Sequence, residues 1–352
     1  MVNAEDLRAA VAAGIIDEAQ AARLKVLGEN RAGTRVAMPA EDEPFEFFRG
    51  FSEIFISIGL VILLSGVLVL LSWFGGLALL LVVPLICAGV AWWWATYFTL
   101  KRRMTLPSMV LASAYGAGVF LFAGTVLDRV GLGGRAVAVL SFALAAAALV
   151  AWYRRFRLPF TAFLIGAAVL GAIYAATSGV DDLMTMRGGW NAMFDLRESP
   201  VFAASTLLFG VGMFLVGMAF DMRDPHRLGR HAATAFWCHL MAAPALVNTV
   251  AVTLLNGGGM ALLALALLVI TVLALVIDRR SFLTAAIAYI ALVISWVAGD
   301  EGNFGTWVFI LLVLGGLITA IGTWWVQLRA FVMKTLPNFP GKDRLPPYAR
   351  AE

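Results

Sequence analysis

Long apolar runs separated by short polar segments make up this chain between residues 54 and 326. A helix needs about twenty apolar residues to cross the hydrocarbon core of a bilayer. Ten runs come close to that length, and they cover residues 54–73, 76–97, 106–126, 136–152, 158–176, 200–220, 233–255, 260–277, 282–297 and 305–326. The pattern predicts an all-α fold, a polytopic transmembrane helix bundle of about ten spans.

The composition agrees with a membrane bundle and excludes an ordinary soluble domain. Hydrophobic residues make up 61% of the chain and charged residues 14%, whereas soluble domains are roughly half apolar and one-quarter charged. The net charge of +4 comes from short basic clusters between the apolar runs, which is not the patch that nucleic acids require. We therefore expect membrane lipids as the surroundings and no nucleic-acid partner.

The distribution of basic residues predicts the orientation of the bundle. If the N-terminal segment is cytoplasmic, only four of the 26 Lys and Arg residues lie on the opposite face, namely Arg129, Arg135, Arg187 and Arg197. Cytoplasmic loops carry an excess of Lys and Arg, so we expect both termini in the cytoplasm. The polar first fifty residues do not read as a signal peptide, and the abundance of Arg, Ala and Gly favours the cytoplasmic membrane of a bacterium.

A cytoplasmic helical hairpin is predicted for residues 1–30. Gly14 suits a left-handed helix cap after a first helix, and Asp17 with Gln20 forms a capping-box pattern at the start of a second. The apolar face of this hairpin comprises Leu7, Val11, Ile15, Ile16, Leu24 and Leu27. Such a face is a possible docking site for a protein partner.

The rest of the chain divides into three segments. Residues 31–53 read as a linker and an interfacial segment, and residues 54–326 form the ten-helix bundle. Residues 327–352 read as a cytoplasmic tail, and their four prolines predict disorder at its end.

No Asp, Glu, Lys or Arg falls inside an apolar run, and only Glu53 touches an edge. Intramembrane ionisable groups usually mark proton relays and ion-coupled pumps, so the pattern argues against a carboxylate-driven transporter. Basic residues recur in a motif between the runs: R-R-x-x-L-P at residues 102–107 and 154–159, and R-R-x-x-L-T at 279–284. Either a duplicated hairpin or the orientation rule followed by a helix-starting proline explains the repeat.

His239 is the one histidine inside an apolar run, with Cys238 beside it and Asn248 further along. These three residues are candidates for a polar spot on a substrate path. The alternative is that each bonds a neighbouring helix, as polar side chains commonly do in membranes. His239 and Asn248 point to opposite faces of a straight helix, so one shared site requires a break, for which Pro244 is a candidate.

The longest outer loop, residues 177–199, supplies a second candidate site. Asp181, Asp182 and Trp190 there suit a cation or a polar ligand, although an acidic outer loop is also the counterpart of the basic cytoplasmic face. Enzyme motifs for phosphate, zinc or acyl chemistry are missing from the sequence. With only three histidines, we expect no catalytic residues, no metal site, no cofactor and no enzymatic activity.

Two segments carry a family resemblance: residues 14–24, GIIDEAQAARL, and residues 58–69, IGLVILLSGVLV. With them the first 75 residues resemble the predicted bacterial membrane proteins grouped as DUF2157. The resemblance implies a cytoplasmic hairpin joined to a many-span bundle, without an established activity or any catalytic residues. Members often close the first span with an Asn-Trp pair, whereas here Ser72 precedes Trp73.

Two functions fit this architecture. The first is a permease or a flippase-like protein for a small or amphipathic molecule, because ten spans can arise from two inverted halves. The alternative is a non-catalytic membrane scaffold or accessory subunit that docks a partner through its N-terminal hairpin.

Overall fold

The computed structural model is helical throughout its described residues, without a strand. It describes residues 4–31, 51–74, 76–178, 193–227, 230–257, 259–280, 282 and 304–346. The chain divides into two compact units, which we call the first unit (Val26–Arg187) and the second unit (Met1–Lys25 with Gly188–Glu352).

The N-terminal hairpin consists of α1 (Ala4–Ala12) and α2 (Glu18–Arg31), and α2 crosses the boundary between the units. Gly14 has the left-handed φ of 69°. The capping box is present, since the Asp17 amide donates to Gln20 Oε1 (3.0 Å) and the Gln20 amide donates to Asp17 Oδ1 (2.6 Å). Leu7, Val11 and Ile16 pack with Ala21 between the two helices. Ile15, Leu24 and Leu27 do not join that core, and each is about half exposed or more.

The first unit contains five long helices, each antiparallel to the next along the chain. They are α3 (Phe51–Phe74), α4 (Gly76–Ala95) with a π-helical turn (Thr96–Lys101), α5 (Thr105–Arg129), α6 (Gly134–Phe156) and α7 (Phe160–Thr177). Trp92, Tyr115, Trp152 and Phe156 form a chain of ring contacts at centroid distances of 4.5–5.6 Å. Small residues bring α4 and α5 together, because a Cβ added at Gly118 would lie 2.6 Å from the Pro84 carbonyl oxygen.

The second unit contains five further described helices besides the start of the hairpin. They are α8 (Pro200–Asp221), α9 (Arg230–Asn256), α10 (Met260–Ile277), α11 (Phe304–Thr323) and α12 (Trp325–Thr335), followed by a short 3₁₀ turn (Lys342–Arg344). Ala242 and Ala243 of α9 pack with Leu275 of α10, Phe282 and Trp325 in one apolar core.

Seven of the described helices are long and apolar enough to cross a membrane, which confirms the membrane character predicted from the sequence. They are α3 to α9; α10 is a shorter apolar helix, and the bent pair of α11 and α12 would make one more span. The predicted run 282–297 lies outside the described residues apart from Phe282. The count of ten spans and the cytoplasmic placement of both termini therefore stay predictions.

Near the C-terminus the structure adds two details to the sequence prediction. The run 305–326 is helical as α11 as far as Thr323, and α12 leaves it at an angle of 71°. Residues 327–346 are ordered, with Leu345 buried and the Pro346 carbonyl bonded to Arg329. A buried guanidinium that needs acceptors explains why this proline-rich stretch packs against the helices.

Candidate functional site

The end of α10 determines where Asp278 and Arg279 lie. Asp278 adopts the left-handed conformation (φ 57°) directly after the helix, and the Arg279 amide donates to the Ala274 carbonyl at 3.0 Å. This six-to-one bond, with a five-to-two bond from the Asp278 amide to Leu275 (3.3 Å), is a Schellman ending. It turns the chain back, so that Asp278 and Arg279 face the neighbouring helices instead of continuing along the axis of α10.

Asp221, Arg279 and His239 form a buried triad that joins the ends of α8 and α10 to α9. The Asp221 carboxylate closes α8 and accepts two hydrogen bonds from the Arg279 guanidinium, one from Nε at 3.2 Å and one from Nη2. Nε2 of His239, on α9, lies 2.9 Å from Asp221 Oδ2. Arg279 also donates to the Ala232 carbonyl at 3.0 Å. All three residues are at most 4% exposed, so each charge is held by its partners and not by water.

The His239 ring occupies a space that a glycine leaves free. A Cβ added at Gly217 of α8 would lie 2.8 Å from the ring, and the rings of Phe214 and Phe282 contact it edge-on at 5.5 and 5.8 Å. Because the ionised Asp221 needs a donor, Nε2 carries the proton. Nδ1 is buried and has no hydrogen-bond partner within the described part of the chain. The ring is therefore polar towards Asp221 and surrounded by aromatic side chains elsewhere.

Asp278 is the centre of a second set of contacts beside the triad. Its carboxylate accepts from Trp325 Nε1 (2.7 Å), forms a 3.0 Å ion pair with Arg227, and lies 3.7 Å from Arg329 Nε. Burial by itself would raise the pKa of Asp278, but the Arg227 and Arg329 guanidiniums and the Trp325 bond hold the pKa below its ordinary value. Arg329 continues the chain of contacts to the carbonyls of Leu275 and Pro346.

The N-terminal hairpin is fastened to the same end of the second unit. Nζ of Lys25 donates to the Arg227 carbonyl at 2.6 Å, and Glu18 lies 3.8 Å from His226. Arg227 itself has a left-handed φ of 54° and pairs with Asp278. A chain of polar contacts thus runs from the hairpin through the α8–α9 loop to α10 and α12. We call the seven residues Asp221, Arg227, His239, Asp278, Arg279, Trp325 and Arg329 the charge cluster.

The charge cluster links several helices through ion pairs and hydrogen bonds. Three guanidiniums, those of Arg227, Arg279 and Arg329, contact the carboxylates of Asp221 and Asp278. Desolvation makes such groups costly unless every one of them is paired. In a membrane bundle, buried ionisable groups are the default candidates for a functional site.

No protein-family model, curated protein or solved structure matches this chain. The resemblance to DUF2157 stays a prediction.

The structure separates the residues predicted as candidates. His239 lies in the charge cluster, whereas Cys238 is 1% exposed without a described polar contact and Asn248 is half-buried further along the unbroken helix α9. Asp181, Asp182 and Trp190 lie outside the described residues. Asp195 of the same loop is buried and accepts bonds from Asn256 Nδ2 (2.8 Å) and the Arg197 amide (2.9 Å), so it fastens the loop to the end of α9.

Sequence reasoning missed most of the charge cluster. Asp221 and Arg279 lie one and two residues beyond the predicted spans, where charged residues are ordinarily solvated. A usable signal was present, since His239 inside an apolar run requires a polar partner at a similar depth on a neighbouring helix. Asp221 is the carboxylate nearest to that depth on the preceding helix.

Proposed function

We propose that this chain is a permease-like integral membrane protein in which the charge cluster closes one end of the second unit. The carried molecule is small or amphipathic, and the chain is not an enzyme. The observation that supports this function is the buried triad of Asp221, Arg279 and His239, which ties three membrane-spanning or apolar helices through ion pairs instead of apolar packing. Ion pairs between rigid helices have two defined states, formed and broken, as a gate requires.

The location, the orientation and the family of the chain belong to the same proposal. We infer a bacterial cytoplasmic membrane, both termini in the cytoplasm and membership of DUF2157. In that orientation the charge cluster and the hairpin close the cytoplasmic end, and Lys25 connects the hairpin to the gate through Arg227.

A flux assay that does not require the natural substrate tests the gate. Wild-type protein, Arg279→Gln and Arg223→Gln are reconstituted into liposomes loaded with a panel of small anions, cations and neutral solutes and with labelled lipids. Arg223 is exposed and follows Asp221 by two residues, so its variant is the matched control. We expect Arg279→Gln to increase efflux several-fold over both other proteins. If none of the three proteins moves any solute or lipid faster than protein-free liposomes do, the permease proposal is wrong.

A second function, a non-catalytic accessory protein that docks a partner, is favoured by the hairpin surface. Ile15 is 74% exposed and Leu24 48% exposed, although the hairpin is held in place by Glu18 and Lys25 on its polar side. A photo-crosslinking residue placed at Ile15 should trap one membrane or cytoplasmic protein in cells, while the same residue at the exposed Arg8 should not. Equal crosslinking patterns at both positions would rule out docking through this surface.

A further inference from the structure

Five helix ends meet at one end of the first unit. The helices α3, α5 and α7 begin there, while the π-helical turn after α4 and the helix α6 end there. Glu53, only 4% exposed, connects two of these ends because its Oε2 accepts from the amides of Thr105 (3.1 Å) and Leu106 (3.2 Å). The carboxylate thereby caps α5 at the positive end of its helix dipole. Thr99 Oγ1 donates to Ser108 Oγ at 2.9 Å and fixes the π-helical turn against the same helix.

Six basic side chains are exposed around this end. We call them the basic rim: Lys101, Arg102, Arg103, Arg154, Arg155 and Arg157. Within the described residues none of them forms an ion pair, and Glu53 is already occupied by backbone amides. Arg103 and Arg157 have left-handed φ values of 53° and 50° at the turns that bring the two halves of the rim together.

Exposed aromatic side chains lie next to the basic rim. Trp93 and Tyr97, four residues apart and therefore on one helical face, are 69% and 43% exposed. The Arg102 Nε donates to the Tyr97 hydroxyl at 2.9 Å, and its guanidinium carbon lies 5.6 Å from the centre of that ring. Trp and Tyr concentrate where the hydrocarbon core meets the headgroups. Their position thus puts the basic rim at headgroup depth.

We propose that the basic rim is a binding surface for anionic phospholipid headgroups. Six exposed cations without described counter-ions complement a surface of phosphodiesters, and each Lys or Arg near an anionic membrane strengthens the association roughly fivefold. The occupant is a lipid and not a soluble phosphate, because the exposed aromatic and aliphatic side chains beside the rim provide the place for acyl chains. The described opposite end of the unit has no such surplus, since Arg129 and Arg135 there accompany Asp128.

Lipid-dependent stability tests this surface on the full chain. Wild-type protein, the triple variant Arg154→Gln, Arg155→Gln, Arg157→Gln, and the control Arg129→Gln, Arg135→Gln are placed in nanodiscs of phosphatidylcholine, with and without added phosphatidylglycerol. We expect phosphatidylglycerol to raise the thermal unfolding midpoint of the wild type and the control. The triple variant should lose more than half of that shift, and high salt should reduce the shift in all three.

Three results would overturn the proposal. They are a midpoint that does not respond to phosphatidylglycerol, an equal response in the triple variant, or a response that inorganic phosphate in phosphatidylcholine nanodiscs reproduces. Native mass spectrometry of the wild type covers the case in which the triple variant does not fold. Bound phosphatidylglycerol retained in preference to phosphatidylcholine supports the surface, and equal retention of the two lipids overturns it.

Discussion

Arg279 in the second unit and Arg102 and Arg154 in the first begin copies of one R-R-x-x-L motif, yet they meet opposite environments. Arg279 is 3% exposed and bonded to Asp221 and Ala232. Arg102 and Arg154 are exposed in the basic rim. The left-handed residue is the second of the motif in one rim copy and the fourth in the other. The copies therefore differ in backbone as well as in burial, which weakens the case for a duplicated hairpin.

The difference shows that a charged residue near the end of a membrane span can be either exposed or buried, and that its partner decides which. In the first unit the cations need no partner from the chain, because solvent or headgroups remain available to them. In the second unit the Schellman turn after α10 directs Arg279 inward, where only a buried carboxylate can compensate for its desolvation. Substitutions in the charge cluster should consequently lower the free energy of unfolding strongly. Substitutions in the basic rim should change it little when the lipids are neutral.

Asp221→Ala should produce the largest loss of unfolding free energy, because it removes the carboxylate that the buried Arg279 and His239 both contact. Breaking a buried ion pair by removing one partner costs about 3–5 kcal/mol of unfolding free energy. The exposed Arg154→Gln should stay within about 0.5 kcal/mol in neutral detergent. Titration with sodium dodecyl sulfate in mixed micelles measures both values, and a similar loss in the two variants would remove the contrast between the units.

Asp278→Asn should have the next largest effect, a loss of about 2–3 kcal/mol of unfolding free energy. The neutral amide no longer attracts the Arg227 and Arg329 guanidiniums as the carboxylate does. The lowered pKa of Asp278 means that its contribution is complete above the unfolded pKa of about 4 and disappears as the pH falls below it. The stability difference between wild type and Asp278→Asn should thus be constant near neutral pH and shrink below about pH 4. The exposed Asp128→Asn is the control, and a difference that grows on acidification would contradict the ion-pair assignment.

Gly217→Ala should lower the free energy of unfolding by about 1–3 kcal/mol, since the new Cβ meets the His239 ring and displaces the ring from Asp221. Gly212→Ala in the same helix meets nothing within 4 Å and should be neutral or stabilising by up to about 1 kcal/mol. Thermal unfolding of the two variants side by side gives the comparison. Equal midpoints would show that the ring is not confined as described.

Lys25→Met should give the smallest effect, about 1 kcal/mol or less, from the loss of one bond to the Arg227 carbonyl. The expected readout is local: faster proteolysis within residues 1–31, with the midpoint of the helical bundle nearly unchanged. Arg23→Met, at an exposed position of the same helix, is the matched control. Equal cleavage rates in both variants would mean that Lys25 does not hold the hairpin.

The helices and their caps follow from local sequence, and the charge cluster does not. Apolar runs locate α3 to α9 closely, and Gly14 with Asp17 and Gln20 specifies the hairpin turn, because both signals act over a few residues. Asp221 and Arg279 are 58 residues apart, and no short-range pattern in the sequence predicts their contact. The packing of Pro346 likewise depends on Arg329, whose other acceptor, the Leu275 carbonyl, lies on α10.

Access of water to Cys238 tests the gate most directly, because this native thiol is 1% exposed beside His239. In a Cys87→Ala background, labelling by a soluble maleimide is compared between the parent protein, Arg279→Lys and Arg279→Gln, with helix content followed by circular dichroism. The account predicts slow labelling of the parent, intermediate labelling of Arg279→Lys and fast labelling of Arg279→Gln at unchanged helix content. Protection of Cys238 in all three proteins would mean that the charge cluster clamps the helices without closing a path.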